Sequence, residues 1–585
     1  MKRITLTLVT LLLCCINMIA QQRSESEAVQ IAQEFFEKKG LTPKLSVVSH
    51  QKVESQIRKK EAASNKMSDS SQGFYIVNDD NNNCFVIISS DERMKPILGY
   101  SDCGLFDVAT ASESMLDLLS GYQQQYNYLV KRGFCQNAKK FSETKPAIAP
   151  LLKTRWNDKA PFNAKCPVIN GDTCRAGGSP VIMAQVMHYY QYPQHGIGSF
   201  SYKIASTQQQ ISHDFTSDTY DWDTMLDDYY GIEPTQEQID AVSNLIYSCG
   251  VSLATEYGVN ASNINGNDMP YAFIHFFGYN PNLVMYQRDY FSDEEWYDVL
   301  DQELDEKRPV LYAGRLANDS GSQRVIVDGR DANGLYHVNW GMVHSEHRTY
   351  DGFYDLDALQ RAVWEDGELY QDLGENYALP LHQSMICRIS PNTVGTHEDV
   401  FYAKSFSLSA SNVQLEQTVD FSMAPIYCSS TRSGATTVIN EFMTNIGVGL
   451  FDKDFNFIQS LYSTNIIATM QSSAVKSSLD GTIRFDASTF QTGNQYYIAP
   501  YALVEGETVP TRIRTWGGKM NHYLATVTEN KVELKLMGAA DSAVGIEQVE
   551  NSQSDNNAYY TLSGLRVEKP VQKGVYILNG KKVVK

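Results

Sequence analysis

Cysteine is scarce in this chain: ten in 585 residues, too few and too scattered for a disulfide scaffold. Cys14 and Cys15 fall in an N-terminal apolar run, and the others stand at 84, 103, 135, 166, 174, 249, 387 and 428 without zinc-site spacing. No metal and no cofactor is therefore expected. Cys166 and Cys174 lie close in sequence across a turn-rich loop and could bridge in an oxidising compartment, while the remaining six read as buried small hydrophobes. Long basic runs are missing and the formal charge is -19, which argues against nucleic acid as a partner. After Ile19 no stretch approaches the roughly 20 apolar residues of a membrane span.

What is present is ample material for folded cores, with 42% hydrophobic and 11% aromatic residues. The length calls for several domains. Lys2 and Arg3 precede an apolar segment from Ile4 to Ile19 and then Ala20, the pattern of a secretory signal peptide over 1–20. A lipoprotein reading through Cys14 or Cys15 meets Leu13, where a small residue is wanted.

The chain is organised around Cys174-Arg175-Ala176-Gly177-Gly178-Ser179-Pro180-Val181-Ile182-Met183-Ala184-Gln185-Val186-Met187. It reads as a tight loop entering a helix, with Ser179 as N-cap and Pro180 at the first helical position. The residues after Pro180 are apolar nearly all round, so the helix is expected to be buried. A loop ending on the positive end of such a helix is where a thiolate nucleophile would be stabilised, yet no thiol stands there.

This stretch resembles the nucleophile motif of the streptopain-like cysteine peptidases, a papain-like family. The resemblance continues through His188-Tyr189-Tyr190-Gln191-Tyr192-Pro193 and returns in Val327-Asp328-Gly329 and His337-Val338-Asn339-Trp340-Gly341. It implies an α+β fold: a papain-like peptidase domain over 150–392, preceded by a small α+β inhibitory pro-domain over 21–140. The pro-domain resemblance rests on the run Asp91-Glu92-Arg93-Met94-Lys95-Pro96-Ile97-Leu98-Gly99-Tyr100.

A cysteine peptidase needs a thiolate, a His to pair with it, a group that orients the His, and donors for the oxyanion. Anchored on Met183 to Met187, the family's nucleophile falls on Gly178, which has no side chain. The family's catalytic His precedes the run ending Asp328-Gly329 and falls on Gln323, which does not titrate near neutral pH. The oxyanion Gln falls on Asp158, after Trp156-Asn157, where a negative charge would repel an oxyanion. Asn339 and Trp340, which in the family support the His, match, but the following turn does not. Ser179 is the nearest hydroxyl and Cys174 the nearest thiol; His188, His337, His344 and His347 are the histidines nearby in sequence.

Local signals fill in the rest. Ser24 to Gly40 reads as an amphipathic helix with a capping box at Ser24 and Glu27. Residues 51 to 72 read as a polar loop, Phe74–Val77 and Cys84–Ile88 as a hairpin, and Glu113–Arg132 as a helix. Alternating runs over 400–540 read as a β-sandwich. Residues 553–585 look like a short β-module, similar to the C-terminal sorting domain of type IX secretion in Bacteroidetes.

The sequence thus implies a secreted or cell-surface member of this family that binds peptide or protein in the former cleft, or its own pro-domain, without cleaving. The alternative is an active secreted cysteine-type endopeptidase with a relocated nucleophile. A third reading is a surface or adhesion protein in which the β-sandwich matters most.

Overall fold

The computed structural model describes residues 22–61, 72–92, 94–132, 145–264, 269–291, 293–315, 322–341, 350–356, 364–365, 368–369, 383–391, 399–429, 441–468, 475–515 and 522–537, with four short strands between 559 and 584. The signal-peptide reading and the histidines at 344 and 347 lie outside the described residues. The chain forms two compact units, one of Met1–Leu151 with Tyr229–Ile232 and Ala313–Leu381, the other of Leu152–Asp228, Glu233–Tyr312 and His382–Lys585. The class is α+β, with helices and sheets in both units.

The first unit starts with helix Glu25–Lys38. Ser24 caps it, accepting from the Glu27 N–H while Glu27 accepts from the Ser24 N–H. Ala28, Ala32 and Phe36 recur at helical spacing and pack on Tyr75, Val77, Val86 and Ile88 of the hairpin Phe74–Asp79 and Cys84–Ser89. Residues 51–61, expected as loop, are instead part of helix His50–Glu61. Its charged sequence hides the signal, because among the described side chains only Val53 and Ile57 are buried, one turn apart.

The hairpin continues through strand Ile97–Ser101, which pairs on its far side with Gly352–Tyr354; that strand pairs with Tyr336–Asn339, and Tyr336–Asn339 with Ser322–Arg330. Two glycines make the junction possible. A Cβ on Gly99 would run into the Tyr354 ring, and one on Gly352 into the Tyr100 carbonyl. The Lys95 ammonium pairs with Asp355 at 2.9 Å, and the buried Tyr122 hydroxyl donates to the Leu98 carbonyl at 2.6 Å. Further along, Ile148 forms a two-way backbone bridge with Arg330, at 2.7 and 3.0 Å.

A row of side chains crosses these strands. Tyr100 stacks on Phe353 at 5.2 Å, Phe353 meets His337 edge-on at 5.1 Å, and His337 Nδ1 lies 2.5 Å from Asp328 Oδ1. Burial disfavours a charged imidazole here, but Asp328 outweighs it and the His337 pKa is raised above its ordinary value.

The second unit holds the helix Gly178–Tyr190, buried from Pro180 to Met187 and packed against helix Gln236–Ser252, where Cys249 Sγ meets Met187 Sδ at 3.5 Å. Helices Met269–Phe277 and Asp293–Asp305 follow, and strand Val284–Gln287 pairs with Ser384–Cys387. Beyond residue 399, two antiparallel-rich sheets share one core, with Phe401, Phe421 and Ile483 from one sheet against Val448, Ile498 and Ala525 from the other. Arg514 ties the sandwich to the preceding region through Glu295, at 2.9 Å, and the Tyr290 carbonyl, also at 2.9 Å. The strands between 559 and 584 form a separate four-stranded sheet.

Two outcomes are expected. Gly99→Val or Gly352→Val should lower unfolding free energy by about 1–3 kcal/mol by overpacking the junction, read by denaturant titration. The His337–Asp328 pair contributes stability that is fully present below the ordinary imidazole pKa of about 6.5 and fades as pH rises through the raised value. Unfolding midpoints measured against pH should therefore fall across that window, and Asp328→Asn should flatten the profile.

Candidate functional site

The loop before the buried helix is held by backbone bonds. Arg175 N–H donates to the Gly258 carbonyl at 3.0 Å and Ala176 N–H to the Asp158 carbonyl at 2.8 Å, while the Ser262 hydroxyl donates to the Arg175 carbonyl at 2.7 Å. Gly177 has φ of +89° and packs so closely that a Cβ would lie 3.0 Å from the Ser262 carbonyl oxygen. Only glycine meets both demands at this position.

The helix therefore begins at Gly178, with Gly177 as the flanking residue and no side-chain cap. Ser179, expected as the N-cap, is the second helical residue. The helix starts from the positive-φ backbone at Gly177 without a capping hydroxyl. Gly178 sits at the positive end of an uncharged, buried helix, a setting that would depress the pKa of a thiol placed there.

Asp158 comes to the same loop. Its side chain is 7% exposed and pairs with the Arg175 guanidinium at 3.2 Å. Asn157 Oδ1 accepts from the Asp158 and Lys159 N–H groups at 2.6 and 3.1 Å, fixing a tight turn. The structure thus joins Asp158, Arg175 and the 176–178 backbone into one constellation, in which the carboxylate is matched by a guanidinium. Arg175 is the residue that sequence reasoning misses, because nothing in the motif marks it as Asp158's partner.

Gln323 lies in strand Ser322–Arg330 of the other unit, and its side chain is outside the described positions. Asn339 pairs in register with Ile326 of that strand. Asn339 Oδ1 accepts from the Gly341 N–H at 2.8 Å, and the Trp340 indole donates to the Tyr350 carbonyl at 2.8 Å. These bonds shape a turn and a packed corner.

Cys166 and Cys174 are both buried and both free, so the expected bridge is not formed. Burial pushes the Cys166 thiol up to about 12 and also raises that of Cys174. Neither offers a thiolate at neutral pH.

One further cluster has the composition of a triad. His213 Nε2 lies 2.7 Å from Asp218 Oδ2 and 3.3 Å from the Ser248 hydroxyl, which itself donates to Asp218 Oδ2 at 2.7 Å. Carboxylate and hydroxyl converge on the same ring nitrogen, so the imidazole cannot take a proton from Ser248 while Asp218 orients its other nitrogen. Burial opposes the Asp218 charge, but bonds from His213 and Ser248 override it and hold the carboxyl below its ordinary value. The arrangement satisfies a buried carboxylate. Among the described residues no group of three or more His, Cys, Asp or Glu is placed to hold a metal ion.

Comparison with known proteins sets these observations in a lineage. Residues 156–354 match the Peptidase C10 family and residues 20–126 match the Spi protease inhibitor family. Streptopain of Streptococcus pyogenes is 29% identical over 304 residues, covering 48% of this chain and 74% of that protein. The thiol protease/hemagglutinin PrtT of Porphyromonas gingivalis is 28% identical over 361 residues, covering 58% of this chain and 40% of its own length. Among solved structures, a Prevotella intermedia prointerpain A fragment shares 25% identity with a TM-score of 0.45, covering 55% of this chain and 96% of the fragment. Active interpain A from the same organism shares 28% identity with a TM-score of 0.35, covering 42% of this chain and 96% of its own. The chain is a streptopain-like Peptidase C10 homologue, carrying the family's region at 156–354 behind an Spi-inhibitor-like pro-domain.

Proposed function

We propose that this chain is a pseudo-peptidase: an exported, non-catalytic member of its family that binds peptide or protein around the position its nucleophile has vacated. The reading rests on Gly178: it is the first residue of the buried helix, and the motif resemblance sets the family's nucleophilic cysteine there. No acyl intermediate can form on a residue without a side chain. Gln323 at the base position and Asp158 at the oxyanion position point the same way, since neither residue type can do the family's job. The Asp158–Arg175 pair adds a physical account of how the third change is tolerated: the carboxylate is neutralised in place.

The competing reading, an active endopeptidase with a relocated nucleophile, has little to work with. Cys174 is fully buried with a raised pKa, and Ser248 sits in a cluster with the wrong nitrogen geometry. Export is supported by the apolar N-terminal run after Lys2 and Arg3 and by the terminal β-module. Without a nucleophile the chain should keep its N-terminal segment, whose strand Ile97–Ser101 is paired into the sheet of its unit.

The decisive experiment is hydrolysis of casein or a fluorogenic peptide by the full chain beside a Gly178→Cys, Gln323→His, Asp158→Gln variant. The native chain should match the buffer blank, and the variant should exceed it by about 10³-fold or more, because nucleophile and base act as one unit. Native cleavage stopped by a thiol or serine reagent would sink the proposal, and the labelled residue would locate the true nucleophile. The positional assignment has its own check. Gly178→Cys alone should gain a thiol that iodoacetamide labels quickly near neutral pH, while Cys166 and Cys174 stay unlabelled until the protein unfolds.

A further inference from the structure

Arg512 is a buried cation without a matching anion. It lies in strand Thr511–Arg512 of the β-sandwich, paired with Tyr501, which belongs to a small apolar cluster apart from the shared core. The chain holds 68 Asp and Glu against 49 Lys and Arg, yet among the described residues no carboxylate pairs with this guanidinium. Arg512 is 5% exposed, and its Nε–H is buried without an acceptor. Its Nη2 donates to His522 Nδ1 at 3.4 Å, and its guanidinium lies over the Phe455 ring, 4.1 Å from the centroid. Arg514 shows the contrast: it is as deeply buried, but its charge is met by Glu295 at 2.9 Å. Burial, with Arg514 adding a like charge, pushes the Arg512 pKa down to about 9, so the group stays charged at neutral pH.

We propose that Arg512 holds a small carboxylate, bound through the Nε edge of its guanidinium. An aromatic ring attracts the face of a guanidinium but accepts nothing from its N–H edge, so Phe455 leaves that edge unmet. A buried charge in this state is costly until an anion joins it. The charge count selects a monoanion. Arginine can only donate, so His522 Nδ1 is an acceptor in this contact and brings no second cation to it, and Arg514 is already paired. Geometry selects a carboxylate, whose two oxygens match the planar fork of Nε and Nη2. Phe455 stacks flat on Tyr497, at 4.1 Å and 3°, and His522 stands edge-on to both at 5.1 Å. Phe455 and Tyr497 are half-buried, which places the cluster next to solvent. Phe455 has φ of +58°, a strained setting for a bulky residue, so the ring covering the guanidinium is held by contacts and not by backbone preference.

The test is saturation-transfer NMR of the full chain with sodium acetate, sodium chloride holding the ionic strength constant. Transfer to the acetate methyl is expected, and Arg512→Met should lose it. The thermal midpoint of the native chain should rise as acetate replaces chloride, while that of Arg512→Met should not respond. In chloride alone the methionine variant should melt no lower than the native chain, because it exchanges an unmet buried charge for apolar volume. Arg512→Lys keeps the cation without the fork and should weaken the acetate response by about tenfold. No transfer to acetate with the native chain overturns the proposal, as does an acetate response that survives in either variant at native strength. A methionine variant that melts well below the native chain in chloride would show the charge already satisfied by the fold, and overturns it. An equal rise with phosphate at matched ionic strength would be general anion screening, and overturns it too.

Discussion

The helix Gly178–Tyr190 sets the terms for the second unit. From Pro180 to Met187 every residue is buried, so no face of it can be given to water. Such a helix exists only inside a shell of other elements, and much of the surrounding sequence supplies that shell: the Gln236–Ser252 helix, the Asn157 turn and the Ser262 contact. Its start is fixed as tightly as its sides. Gly177 must adopt a left-handed backbone while lying against the Ser262 carbonyl, so the point where residue 178 emerges is determined by packing alone.

That makes the framework around residue 178 a matter of packing and not of chemistry. The groups a peptidase uses project from the framework at element ends and carry little of its packing energy. The residues that match the family motif here, Met183 to Met187, Val327 to Gly329 and Asn339 to Gly341, are placed in the core and in sheet turns. The nearly buried Asp158 carboxylate carries an electrostatic cost that Arg175 offsets.

Much of the fold is legible in the sequence where a local signal and burial agree. Ser24 with Glu27 marks a helix start because cap and apolar stripe coincide, and Glu113–Arg132 carries its own periodicity. Local signals fail where a distant contact decides. His50–Glu61 looks like loop because two apolar residues are all it needs once Val53 and Ile57 find a partner surface. Ser179 looks like a cap because the Ser262 contact that sets Gly177 is invisible in sequence. The candidate positions at 158, 178 and 323 are legible through motif resemblance, whereas Arg175, and the cluster of Ser248, His213 and Asp218, emerge only when the chain is folded. Cys166 and Cys174 are neighbours in sequence, yet each sits as a buried free thiol, where apolar packing already satisfies a small hydrophobic side chain.

The first unit shows a different coupling. Strand Ile97–Ser101 belongs by sequence to the inhibitor-like segment, yet its far edge is satisfied by Gly352–Tyr354, and the glycines at 99 and 352 leave room for that approach from both sides. The row from Tyr100 through Phe353 to His337 and Asp328 then carries the contact across to the strand that bears Gln323. Removing the segment would expose an unpaired strand edge, an apolar row and the Asp355 carboxylate now matched by Lys95. The packing of the inhibitor-like region onto these strands is therefore part of what holds the unit together.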